Sequence, residues 1–144
     1  MNLSDSQAIA TREFGPISRT DIVRYQGASG DFNPIHHDIE FAKSAGFEDV
    51  FVVGMLIAGY LATFASDLVG VEAIHKFAIR FQAQTWPGDL IICSAKIIST
   101  QQQVNGNQTQ VTLELIAKNQ SGVLAATAQA DAQISTNSLL LSAK

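Results

Sequence analysis

The sequence predicts an α+β domain in which a curled antiparallel sheet wraps one long apolar helix, and three observations carry that expectation. The front half is marked by helix-cap residues, glycine and proline. Residues 54–68 form a nearly unbroken apolar run of helical length, longer than an ordinary strand. From Phe77 onward, apolar and polar residues alternate in runs divided by turn residues, which is the period of a strand with two different faces. No linker or low-complexity stretch separates the halves, so the 144 residues are expected to form a single domain.

Ser18 followed by Asp21 has the form of a helix start, with an acid favoured near the positive end of the dipole, and predicts a helix over residues 19–26 that Gly27 and Gly30 end. A second short helix is expected over residues 38–44, with Asp38 as its cap and Gly46 just past its end. In the apolar run, Met55, Leu56, Ile57, Ala58, Leu61, Ala62, Phe64, Ala65 and Leu68 occupy nearly every face of a helix. Such a helix belongs in the interior with other structure around it.

The covering structure follows directly in the chain. Phe77, Ile79 and Phe81 alternate with Ala78, Arg80 and Gln82, and Trp86-Pro-Gly-Asp89 interrupts them, so residues 77–85 read as a strand. Residues 90–99, 108–118 and 123–134 read as three more, separated by Asn105-Gly106-Asn107 and Asn119-Gln-Ser-Gly122, turns that suit antiparallel hairpins. Ala126, Ala128, Ala130 and Ala132 share one register of the last strand and would let a helix approach closely. An ordinary α+β sandwich satisfies the same pattern.

Composition narrows the function classes. A hydrophobic share of 47% against 15% charged residues describes a chain that folds. A net charge of −4, with nine scattered Lys and Arg residues, argues against a nucleic-acid partner, because phosphate binding needs clustered cations. The single cysteine, Cys93, excludes an intramolecular disulfide; the chain has no CxxC pair and no repeated Cys/His spacing for a metal site. The start of the chain lacks the basic and apolar segments of a secretory signal, so a cytoplasmic protein is expected. The apolar stretch over residues 50–65 falls short of the ~20 residues needed to cross a bilayer and is broken by Gly54, Gly59, Tyr60 and Thr63, so no membrane span is expected.

Between the first two helices lies the segment with the most chemistry, Tyr25-Gln-Gly-Ala-Ser-Gly-Asp-Phe-Asn-Pro-Ile-His-His-Asp38. Asp31 and His36 are five residues apart, and Pro34 disfavours a helix between them because it drives Asn33 toward extended geometry. A loop can aim both side chains inward, and a carboxylate and imidazole converging on one water form an acid/base pair. Spacing alone does not show that they converge. The blander account has Asp31 capping a turn, Asn33 starting one, and a half-buried His36 satisfied by backbone. His37 is expected to point to solvent, away from its neighbour; His75 is expected on a loop; Cys93, inside an apolar strand, reads as a small buried side chain.

The segment Gly30-Asp31-Phe32-Asn33-Pro34-Ile35-His36, with Tyr25 before it and Ala42 after it, resembles the hydratase motif of the MaoC-like family, which includes (R)-specific enoyl-CoA hydratases and type II fatty-acid dehydratases. Gly54-Met55-Leu56 is similar to the start of that family's central helix, and Arg80-Phe81 through Pro87-Gly88-Asp89 to its first long strand and following turn. The resemblance covers most of residues 14–134 and implies the hot-dog fold. It also implies that Asp31 and His36 bind and activate one water, that Asn33 supports the loop, and that trans-2-enoyl and (3R)-3-hydroxyacyl thioesters are interconverted without metal or redox cofactor.

Within that reading, His36 is the expected base, since imidazole titrates near neutrality, and Asp31 orients the water or returns a proton. The backbone N–H of Gly54, at a helix N-terminus, is suited to the enolate oxygen of the thioester, whereas tight packing or a cap is the other account of that glycine. The family commonly has His-Gly-Met where this chain has Val53-Gly54-Met55, a departure bearing on the acyl pocket. The implied partners are an acyl-CoA or acyl-carrier-protein thioester and a second copy in a homodimer, or a related chain in a heterodimeric 3-hydroxyacyl-carrier-protein dehydratase. A thioesterase of the same fold is the alternative activity.

Overall fold

The computed structural model describes residues 8–102 and 107–135. The chain runs β1 (Ala10–Phe14), α1 (Arg19–Ser29), a 3₁₀ turn (Pro34–His36), α2 (Ile39–Ser44), α3 (Gly54–Val69), a second 3₁₀ turn (Val71–Ala73), β2 (Ile74–Phe81), β3 (Ile91–Gln102), β4 (Gln108–Asn119) and β5 (Leu124–Ser135). The strands form one antiparallel sheet in the order β1-β3-β4-β5-β2. Register irregularities between Ile74 and Lys76, Ile97 and Ser99, and Ala117 and Lys118 interrupt the ladders. Such bulges bend strands and raise their twist. The sheet curls round α3, which packs against β2, β3, β4 and β5: the α+β hot-dog arrangement.

The first two helices start where a cap residue dictates. Ser18 Oγ accepts from Asp21 N–H at 3.1 Å while the Asp21 carboxylate takes the Ser18 N–H at 2.9 Å, a reciprocal capping box. Asp38 Oδ1 accepts from the N–H groups of Glu40 and Phe41 at the start of α2. α1 runs past the expected end: Gly27 stays helical, and Gly30, at φ 76°, makes the left-handed cap with its N–H on the Gln26 carbonyl at 2.9 Å.

The core lies between α3 and the concave face of the sheet. Ile57, Leu61, Phe64 and Ala65 of α3 meet Ile91, Cys93 and Ala95 of β3, Leu113 and Leu115 of β4, and the alanines of β5. Burying an Ile, Leu or Phe side chain contributes about 1.5–3 kcal/mol, so α3 is the main anchor of the fold. Ala126, Ala128, Ala130 and Ala132 are all buried, as the register predicts. α3 is not enclosed on every side, however. Met55 is 54% exposed and Thr63 and Asp67 face solvent, because the sheet covers one face only. β1 grips part of the other side through the stacked rings of Phe14 and Tyr60, 4.5 Å apart, and an Arg12–Asp67 ion pair.

Several expectations shift at the edges. β1 adds an edge strand that the sequence pattern does not show. β2 spans Ile74–Phe81 rather than 77–85, so His75 is an exposed residue at a strand bulge rather than on a loop. Beyond Phe81 the chain leaves the ladder: Gln82 and Ala83 both donate to the Ala125 carbonyl. The turn at Asn105-Gly106-Asn107 lies mostly outside the described residues. Among the described residues no helix is long and apolar enough to cross a membrane.

Candidate active site

The loop between α1 and α2 is a chain of side-chain-to-backbone hydrogen bonds. Asp31 Oδ1 accepts from the Asn33 N–H at 3.2 Å, and Asn33 Oδ1 accepts from the Ile35 N–H at 3.1 Å, two successive Asx turns that lead into the Pro34–His36 turn. Asn33 thus spends its side-chain oxygen on the backbone of its own loop. The turn chemistry and the catalytic account of Asp31 are compatible, because Oδ1 serves the turn and Oδ2 takes no partner among the described residues.

His36 is buried, with 8% exposure. Its Nδ1 lies 2.7 Å from the Phe51 carbonyl oxygen, and its ring meets that of Phe51 edge-on at 5.0 Å. A carbonyl only accepts, so Nδ1 carries the hydrogen, and in the neutral imidazole Nε2 is left with the lone pair. The structure thus fixes the tautomer a base requires.

Phe51 also joins this loop to a cavity. A space of about 230 Å³ is lined by Phe51, Val52, Gly54, Ile57, Phe81, Gln82, Ala83, Gln84, Thr85 and Ala125. Gly54 opens α3 beside it, and Val53, at the N-cap, supplies no side-chain hydrogen bond to the first turn. A Cβ on Gly54 would meet Phe81 Cε1 at 3.4 Å, so glycine keeps this wall open. The Val52 N–H donates to the Thr85 carbonyl at 2.9 Å, tying the approach to α3 to the chain beyond β2. Asp31, Asn33 and His36 share one hydrogen-bonded loop, whereas Gly54 lies in the neighbouring cavity, with Phe51 between them. Val53 is 3% exposed and belongs to the core, so the position that departs from the family's histidine is an ordinary packed valine here.

One residue of the site escapes a sequence reading. Gln26 is 2% exposed, and its Nε2 donates to the carbonyls of Asp31 at 2.8 Å and Asn33 at 3.1 Å. Its Oε1 accepts from His37 Nδ1 at 3.0 Å, so His37, although exposed, is tied inward through one nitrogen. The signal that could have found it is the i, i+4 relation to Ile22 on the buried face of α1, where periodicity calls for an apolar residue. Cys93 has no part in the site: it is fully buried in β3, and burial pushes its thiol up to about 12.

Comparison with known proteins bears on the family and the fold. A family model for the MaoC like domain matches residues 5–119. A mitochondrial 3-hydroxyacyl-[acyl-carrier-protein] dehydratase of Solanum lycopersicum is 34% identical over 86 residues, covering 59% of this chain and 52% of that protein, so the chain spans about half the length of that relative. An (R)-specific enoyl-CoA hydratase of Aeromonas caviae is 26% identical over 126 residues, covering 86% of this chain and 89% of that protein. Among solved structures, a monoamine oxidase regulatory protein from Archaeoglobus fulgius superposes with a TM-score of 0.74 at 28% identity, covering 90% of both chains. With the matched model extending over most of its length, and the helix-in-sheet fold beneath it, the chain belongs to the MaoC-like family.

Proposed function

We propose that this protein is a hydro-lyase, an (R)-specific hydratase/dehydratase that interconverts trans-2-enoyl and (3R)-3-hydroxyacyl thioesters. The observation that carries the reading is the His36 Nδ1–Phe51 carbonyl bond: it leaves Nε2 as a base on the loop that presents the Asp31 carboxylate. In hydration, His36 Nε2 takes a proton from water as its oxygen bonds to C3, and Asp31 Oδ2 accepts the water's other hydrogen and orients it. The alkene electrons pass to the thioester oxygen, where the Gly54 N–H at the positive end of α3 stabilises the enolate. The pair returns one proton to C2, so one water is added and no net proton is consumed. Dehydration runs the same steps backward.

The substrate is proposed to be an acyl-CoA or acyl-carrier-protein thioester, and the working form a homodimer. Support for the substrate class comes from the family and from the apolar cavity wall formed by Phe51, Ile57 and Phe81. Support for association comes from Phe32, 66% exposed beside Asp31, and from Phe41 and Met55, exposed apolar side chains that water does not favour.

Crotonyl-CoA tests the reading directly. Loss of the conjugated enoyl absorbance without release of free thiol, with (3R)-hydroxybutyryl-CoA as product, is the expected result. Thiol release would make the protein a thioesterase. Inactivity alone with activity on mixing with a related chain would make it one half of a heterodimer.

A further inference from the structure

We propose that Gln26 is a positioning residue for the Asp31/His36 pair, a clamp whose amide sets the course of the loop with its nitrogen and holds His37 with its oxygen. The inference rests on the hydratase reading for its effect on turnover. Gln26 holds the loop at four points. Its own carbonyl accepts from the Gly30 N–H at 2.9 Å, just before Asp31. Its Nε2 takes the carbonyl of Asp31 at 2.8 Å and that of Asn33 at 3.1 Å, and its Oε1 takes Nδ1 of His37, immediately after His36. The two candidate acid/base residues therefore lie within a stretch bracketed by one side chain.

The direction of the amide follows from the chemistry of its partners. Backbone carbonyls only accept, so the nitrogen end of Gln26 must face Asp31 and Asn33. The oxygen end is then left for a donor, and His37 Nδ1 must carry the hydrogen that fills it. None of these bonds touches the Asp31 carboxylate or the His36 ring, so the clamp leaves both reactive groups free. An apolar side chain of similar size would satisfy the core beside Ile22 and preserve α1. A buried amide at this point does something leucine cannot: it converts the rigidity of a helix into a fixed path for the loop.

The experiment compares wild type with Gln26→Leu and Gln26→Glu by kcat, KM for crotonyl-CoA, pH profile and thermal melting. Gln26→Leu should keep its fold and its KM within about threefold while kcat falls about 10- to 100-fold, the scale of a small misplacement of reacting groups. Gln26→Glu keeps the acceptor for His37 but turns a carboxylate toward two carbonyls. Its activity relative to wild type should be low near neutrality and rise about fivefold as acid protonates the introduced carboxyl and restores one donor. A leucine variant with wild-type kcat, or a glutamate variant whose relative activity is flat with pH, would overturn the proposal.

Amide hydrogen exchange reads the clamp without turnover. The Asn33 and Ile35 N–H groups, which Asp31 and Asn33 side chains hold, should exchange at least about tenfold faster in Gln26→Leu, with the Ala42 N–H of α2 unchanged. Unchanged exchange at Asn33 and Ile35 would sink the clamp. If wild type fails to hydrate crotonyl-CoA, the hydratase reading fails, and the exchange result still decides whether Gln26 holds the loop.

Discussion

Between Gly30 and His37 most side chains are exposed, and the chain keeps its path through bonds from Asp31, Asn33 and Gln26 to specific backbone groups. Along the α3–β5 contact the reverse holds: Leu61, Ala65, Ala126 and Ala130 are 0% exposed and meet without directional bonds between their side chains. The first region stores its geometry in atoms that donate or accept, so one changed atom redirects it. The second stores it in volume, so among apolar side chains a change of size is what is felt. Chemistry and stability should therefore respond to different mutations.

The sharpest test of that division is at the loop. Asp31→Asn, nearly the same shape as the original, and His36→Gln, of similar size and still polar, should each lower kcat by about 10²- to 10⁴-fold, or roughly 3–5 kcal/mol in activation free energy. Their melting temperatures should stay within a few degrees of wild type. A variant retaining near wild-type turnover would remove its residue from the mechanism. On the core side, Leu61→Ala should cost about 2–5 kcal/mol in urea unfolding while leaving kcat per folded molecule nearly unchanged. A large loss of kcat in folded Leu61→Ala protein would dissolve the distinction.

Gly54→Ala probes the boundary between the two regions. The added methyl reaches the Phe81 ring at 3.4 Å and narrows the cavity, so kcat/KM should fall about tenfold with stability flat or slightly raised, alanine being the better helix former. Equal activity would free the Gly54 wall of any role in binding. The smallest effect is expected at Cys93. With its thiol held at about 12, native protein should resist alkylation at pH ~8 and react only on unfolding. The raised value favours the protonated folded form, so the stability that Cys93 contributes is present below its unfolded value and is lost as pH rises above about 9. Rapid labelling of folded protein would contradict the buried placement.

What could be read from the sequence follows the same line. Ser18 with Asp21, and Asp38 alone, announce helix starts because caps are local chemistry between residues a turn apart. The alanine register of β5 announces the helix contact because a strand repeats every second residue. β1 was illegible: Ala10–Phe14 is an edge strand whose three middle residues are exposed, so no alternation marks it. The end of β2 is not legible because Gln82 to Thr85 keeps the pattern of a strand after leaving the ladder, a matter settled by the Ala125 carbonyl far along the chain. At the site, Asp31, Asn33 and His36 stand within one motif and could be named. Gln26 sits in a helix outside it, and the acceptor for His36 is a backbone oxygen, which has no letter in the sequence.

That oxygen belongs to Phe51, a residue that also lines the cavity beside Gly54. In the proposed hydratase, cargo fit and proton transfer would therefore meet at one residue: a group that presses on Phe51 also leans on the acceptor that aims the imidazole. Selectivity in such a protein can be exercised after capture, by admitting an ill-fitting chain and leaving it unreacted.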